Sequence, residues 1–109
     1  MFVAYTVGLD LIRSLRPIAV QLRSRSSELS AQLEHAATSV VLNIAEGSKR
    51  TGRDPRRFYA MARGSASEVR AILDAASAWG WELDTAEARA LVERELALLW
   101  GLVHGPKRA

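Results

Sequence analysis

The apolar residues of this chain recur every three or four positions along four separate segments, and this spacing constrains the fold more than any other feature. The second segment shows it best, with steps of four, three, four and four between Leu29, Leu33, Ala36, Val40 and Ile44. No segment alternates apolar and polar residues as a half-buried strand does. The sequence therefore predicts an all-α protein.

Serine, proline and glycine indicate where the first two helices begin and end. The first helix is expected to begin near Leu9, with a kink or a late start at Pro17, because proline removes a backbone donor. The second is expected to begin near Glu28, after a serine-rich stretch whose hydroxyl groups can cap it. Gly47 is expected to end this helix in the left-handed conformation.

Similar signals bound the last two helices. The third is expected to start at Asp54-Pro55 and to end at Gly80, with Trp81 folding back as the hydrophobic contact of the C-cap. Asp84-Thr85-Ala86-Glu87 resembles a capping box for the fourth, which Gly105-Pro106 terminates. Because the loops are short, we predict one antiparallel up-and-down four-helix bundle spanning residues 1–109.

Composition excludes several kinds of protein. The chain has no cysteine, which rules out disulfides, thiolate metal sites and cysteine nucleophiles, and favours a reducing cytoplasm. The uncharged stretch over residues 36–45 is about half of the ~20 residues that cross a bilayer, and residues 1–9 lack the features of an export signal. We expect a cytoplasmic protein that does not bind a membrane.

Positive charge is concentrated in two segments, residues 1–27 and the connection between the second and third helices. The chain has 15 Lys and Arg against 12 Asp and Glu, and residues 47–57 hold one acid beside five cations, Lys49, Arg50, Arg53, Arg56 and Arg57. Such a run is either ordinary solvated surface or a site for the phosphates of RNA or DNA, favoured by the start of the third helix. Because no aromatic residue lies among these cations, we expect at most non-specific backbone binding.

Polar residues interrupt the apolar faces of the second and third helices, and they are expected to fix the register of the two. They are Gln32, Ser39, Asn43 and Glu46, followed by Arg63, Ser65 and Glu68. Since a buried charge is costly unless it is paired, we predict that Glu46 and Arg63 meet across the two helices.

Catalytic and metal sites find no support in the sequence. Residues 47–54 have the glycine spacing of a nucleotide-binding loop but lack its Lys and Ser or Thr. A di-iron bundle needs Glu three residues before His, whereas Gln32 precedes His35 and Gly101 precedes His104. We predict a protein that is not an enzyme and that needs neither a metal nor a cofactor.

Helices two and four are apolar over a wider arc than the ~100° that faces the core of a monomer. This surplus predicts a homo-oligomer, since broad apolar surface in a soluble protein usually marks an interface.

Three strings carry a resemblance to a known family: residues 31–40, Asn43-Ile44-Ala45-Glu46-Gly47, and Ala62-Arg63-Gly64-Ser65 with Glu68. Together they resemble the bacterial four-helix-bundle proteins first noticed as reading frames within 23S rRNA intervening sequences. The resemblance is dense from Glu28 to Trp81 and departs at His35, where the family usually has arginine.

The resemblance implies a homopentamer with a central opening. It also implies kinship with the accessory protein of diversity-generating retroelements, which binds nucleic acid and a reverse transcriptase. Two functions stay open: a nucleic-acid-binding assembly, and a structural or adaptor bundle whose apolar faces bind a protein partner.

Overall fold

The computed structural model describes residues 3–50 and 55–105 and contains four helices. They are α1 (Val3–Arg23), α2 (Ser27–Ser48), α3 (Arg56–Ala78) and α4 (Ala86–His104). Each helix packs against its neighbours in sequence, and α4 closes the bundle against α1. No strand occurs in the described ranges, and the predicted all-α four-helix bundle is confirmed.

The apolar stripes of all four helices meet along the bundle axis. The largest fully buried apolar side chains are Leu11, Leu22, Leu33, Ile44, Leu73 and Leu99. Burial of each leucine or isoleucine contributes about 1.5–3 kcal/mol to the stability of the folded state. The three-to-four spacing read from the sequence is therefore the spacing of the core.

Two predicted helix ends form as expected. Ser26 is the N-cap of α2, and its Oγ accepts a hydrogen bond of 3.1 Å from the backbone N–H of Leu29. Gly80 follows α3 with a φ of 81°, and its N–H donates to the carbonyl of Ser77. The N–H of Trp81 donates to the carbonyl of Ala76 at 3.1 Å, which completes a Schellman motif, and the Trp81 ring packs against the core.

Gly47 does not end α2, and that prediction is wrong. The helix continues to Ser48, and Gly80 is the only glycine of the described ranges with a positive φ. Gly47 is instead buried against Tyr59, and a Cβ at this position would lie 2.6 Å from the Tyr59 ring. The glycine is thus required by a close helix-to-ring contact and not by a turn.

Two other predicted starts are corrected. Helix α1 begins at Val3 and runs through Pro17, because buried residues upstream of Leu9 extend its apolar stripe. The N-cap of α4 is Thr85, whose hydroxyl accepts from the Arg89 side chain at 3.2 Å, so the predicted capping box does not form. The predicted signals at Asp54 and Pro106 lie outside the described residues.

Candidate nucleic-acid interface

The predicted cations gather at one end of the bundle, where α2 ends, α3 begins, α1 starts and α4 finishes. Lys49 is the C-cap of α2, and Arg56 and Arg57 are the first residues of α3. We call this surface the basic end, and it consists of Lys49, Arg50, Arg56 and Arg57. The fifth predicted cation, Arg53, lies outside the described residues.

Arg50 is the most engaged of these cations. Its Nη2 lies 2.8 Å from Oε2 of Glu46, one turn earlier, and its guanidinium carbon lies 4.6 Å from the centroid of the Phe58 ring. The side chain is partly covered, and its Nε is buried without an acceptor among the described atoms. Arg50 therefore joins the end of α2 to the start of α3, with part of its charge neutralised by Glu46.

Phe58 organises a second cation of the basic end. The guanidinium carbon of Arg57 lies 4.9 Å from the Phe58 centroid, so one ring supports two arginines through cation–π contacts. Both Lys49 and Arg57 are exposed, whereas Arg56 is half-buried and already has an interaction within the chain. Sequence reasoning missed this role of Phe58, because the loop between Arg50 and Phe58 hides their proximity.

Three of the predicted polar residues form a hydrogen-bonded cluster between α2 and α3. The hydroxyl of Ser65 donates to Oγ of Ser39 at 2.9 Å, and Nδ2 of Asn43 donates to the same oxygen at 3.0 Å. Nδ2 of Asn43 also lies 2.9 Å from the Ser39 carbonyl oxygen. Gln32 and Glu68 are exposed and lie apart from this cluster.

The predicted pair between Glu46 and Arg63 does not form, and that prediction is wrong. Glu46 binds Arg50 of its own helix end, while Nε of Arg63 donates to the backbone carbonyl of Leu96 at 3.4 Å. The reason is the flank on which Arg63 lies. Seven residues further along α3, on the same flank, Arg70 binds Glu93 of α4, so this side of α3 faces α4 and not α2.

Glu95 is a buried ionisable residue that sequence reasoning missed. It is fully buried in α4, and neither carboxylate oxygen has a hydrogen-bond partner among the described residues. Burial raises the pKa of the Glu95 carboxyl to about 8, against the smaller opposing effect of Arg94. A signal was available, since Glu95 lies three residues after Val92 and four before Leu99 on the apolar stripe.

Residues 3–50 and 55–105 contain no group of three or more His, Cys, Asp or Glu side chains arranged to hold a metal ion. None of the helices in these ranges has the length and apolar character that crossing a bilayer demands.

The chain is a small all-helical bundle protein. It has a cationic end and a side-chain hydrogen-bond network between α2 and α3. The chain belongs to the 23S rRNA-intervening sequence protein family, whose model matches residues 7–94. This match confirms the resemblance seen in the sequence and extends it into the outer helices. The family is not a known enzyme family. A comparison with curated proteins finds no match.

Proposed function

We propose that this chain is a non-enzymatic, oligomeric bundle of the cytoplasm that binds the phosphate backbone of RNA or DNA through its basic end. The observation that carries the proposal is the exposure of Lys49 and Arg57 beside Arg50, which is fixed by Phe58 and Glu46. The family supports it, since its name refers to intervening sequences of ribosomal RNA. The absence of cysteine supports the cytoplasm.

The geometry favours phosphates over bases as the primary contact. Arg56 and Arg57 open α3, so their backbone lies at the positive end of its dipole, which attracts anions. Contacts of this kind bind all sequences alike, and their affinity falls steeply as salt displaces the protein from the backbone.

Salt-dependent binding to a labelled RNA hairpin and a DNA duplex tests the proposal. Between about 50 and 200 mM salt, the affinity of the wild-type protein should fall by one or more orders of magnitude. Neutralising the basic end, with Lys49, Arg50, Arg56 and Arg57 all changed to Gln, should abolish binding. The matched control changes Arg13, Arg23, Arg25 and Arg94 to Gln, which removes the same charge from exposed positions outside the basic end.

Equal losses in the two variants would mean that net charge alone drives binding, and the basic end would not be a site. Absence of binding by the wild-type protein at low salt would overturn the proposal. Light scattering first establishes that both variants keep the wild-type mass.

Self-assembly is proposed through the face shared by α1 and α2. A groove there is lined by Ile12, Ala19, Val20, Ala37 and Thr38 among others, with Arg16 and Glu34 at its rim. Leu42, one turn beyond Thr38, continues the same flank and is exposed, as is Val20. Exposed apolar side chains of this kind favour an interface, and by the family resemblance we propose a homopentamer.

Sedimentation of a variant with Val20 and Leu42 changed to Gln tests this interface, with Met61→Gln on α3 as the matched exposed apolar control. Dissociation of only the first variant supports self-assembly. A wild-type monomer would favour the alternative function, in which the same groove makes the bundle a structural or adaptor protein for a partner such as a reverse transcriptase.

A further inference from the structure

Trp100 and His104 form a stacked aromatic pair on the outside of α4. Their ring centroids are 4.4 Å apart with an interplanar angle of 25°. The pair is fixed by a contact of 3.0 Å between Nδ1 of His104 and the carbonyl oxygen of Trp100, in which Nδ1–H donates. Trp100 is 52% exposed and His104 is exposed as well, so the indole is ordered by its neighbour and still open to solvent.

The stacked pair lies in the last turn of α4, with His104 at the level of the basic end. Three contacts set the register of α3 against α4: Asp74 with Arg89, Arg70 with Glu93, and Arg63 with the Leu96 carbonyl. Two helical turns before Arg63, on the same flank of α3, is Arg56, and two turns after Leu96 on α4 is Val103. The register thus brings Arg56 level with Val103 and its neighbour His104, while Trp100 lies one turn further from this end of the bundle. Exposed Arg57 follows Arg56 directly.

We infer that the Trp100–His104 pair is a base-stacking platform, so that the basic end takes single-stranded nucleic acid with unpaired bases in preference to a duplex. This inference rests on the proposed function and deepens it. A base stacked on an indole or imidazole ring gains affinity that a phosphate contact alone does not supply. The bases of a duplex already stack on one another and leave no free face for the platform.

The other exposed tryptophan shows why position matters. Trp79 is 72% exposed, but it stacks on Trp81 at 6.0 Å and lies at the opposite end of the bundle. Its groove is shared with the carboxylate of Glu28, which repels phosphate. The family match ends at residue 94, so the platform lies on the segment of α4 beyond it.

Three labelled probes of about twelve nucleotides separate stacking from charge: single-stranded oligo(dT), an abasic strand of the same length, and a duplex of the same length. Trp100→Ala should weaken binding of oligo(dT) by roughly 5- to 100-fold and change the affinity for the other two probes by less than about twofold. Trp79→Ala is the matched control and should leave all three affinities unchanged. Trp100→Phe should keep most of the affinity for oligo(dT).

Loss of the platform and loss of the basic end give different patterns. The double variant Lys49→Gln, Arg57→Gln should lower the affinity for all three probes, because each probe carries the phosphate backbone. If the wild-type protein binds the three probes equally and Trp100→Ala changes none of them, the platform is overturned while the proposed function stands. If the wild-type protein binds no probe, the proposed function fails and the platform with it.

A role of Trp100 as a subunit contact is an outcome that the same variants detect. A change in the mass of Trp100→Ala in light scattering, or an equal loss for all three probes, would assign Trp100 to assembly and overturn the inference. An unchanged mass with loss confined to oligo(dT) supports it.

Discussion

Ser30 and Glu95 are both buried polar side chains, yet their surroundings differ completely. Ser30 lies near the α1–α2 turn, and its hydroxyl donates to the carbonyl of Ala19 at 2.8 Å. Glu95 lies in α4 opposite Gly8 of α1 and Val41 of α2, and neither of its oxygens has a partner among the described residues. The comparison teaches that burial of a polar group stabilises a fold only where a neighbour satisfies it.

The largest expected effect is a dependence of stability on pH that comes from Glu95. The folded protein raises the pKa of this carboxyl from 4.5 to about 8, so it holds the proton more tightly than the unfolded chain does. Between these values the unfolded state binds fewer protons, and the free energy of unfolding falls as pH rises, by about 1.4 kcal/mol per pH unit. Below pH 4.5 the carboxyl is protonated in both states, so Glu95 no longer makes the free energy of unfolding depend on pH.

Urea denaturation of the wild type and of Glu95→Gln at several pH values from 4 to 9 measures this dependence. The variant should lose the slope assigned to Glu95 and be more stable than the wild type near neutral pH. Glu93→Gln, an exposed carboxylate two residues away, is the control and should keep the wild-type slope. Equal slopes in the wild type and Glu95→Gln would show that Glu95 finds a partner in solution.

A smaller effect is expected from crowding the Glu95 carboxylate. A Cβ at Gly8 would lie 2.8 Å from Oε2 of Glu95 and 3.1 Å from Cγ2 of Val41, so Gly8→Ala should destabilise the fold by about 1–3 kcal/mol. Gly64 is a helical glycine with open space around its Cβ position, and Gly64→Ala should stabilise by about 0.5–1 kcal/mol. Thermal unfolding of both variants measures the contrast.

The Gly8 prediction has an internal check. In a Glu95→Ala background the Gly8→Ala substitution should cost much less, because the carboxylate that it crowds is gone. The same cost in both backgrounds would mean that Val41 or the backbone sets the tolerance, and that Glu95 is mobile enough to move aside.

Ser30 tests the other side of the comparison. Ser30→Ala removes one satisfied hydrogen bond and should lower stability by about 1 kcal/mol at every pH, since the hydroxyl does not titrate. Ser77→Ala, at an exposed site on α3, should be close to neutral. Chemical denaturation at pH 5 and pH 8 measures both, and a pH-dependent loss for Ser30→Ala would contradict the assignment.

The smallest effect on stability is expected from the exposed ion pair between Arg70 and Glu93. Nη1 of Arg70 lies 2.8 Å from Glu93, but both side chains are largely exposed, so Arg70→Met should lower stability less than Ser30→Ala does. Added salt should reduce the cost further. A double-mutant cycle with Glu93→Gln isolates the pair, and a coupling larger than the effect of Ser30→Ala would reverse the order proposed for buried and exposed groups.

The fold was predictable because it depends on local patterns. Helical spacing identified the four helices, and the Ser26 cap and the Gly80 turn follow from residue type within a few positions. The basic end was predictable as a run of charge. The ion pair of Arg50 with Glu46 and its cation–π contact with Phe58 were not. Both interactions depend on which side chains meet after the bundle forms.

The errors have the same cause. The sequence predicts a helix end at Gly47 because nothing near this residue in the sequence reveals the Tyr59 ring. The sequence predicts a pair between Arg63 and Glu46 because it shows the polar character of Arg63 and not the flank of α3 on which Arg63 lies. The position of Glu95 on the apolar stripe is visible in the sequence. Its lack of a hydrogen-bond partner among the described residues depends on how the core packs.

The contact between Gly47 and Tyr59 links two positions through size. A ring at 59 leaves room for nothing larger than hydrogen at 47, and a side chain at 47 would need a smaller residue at 59. Among related chains, loss of the glycine at 47 should therefore accompany loss of the ring at 59, so that these two sites covary by volume across a loop and not by charge.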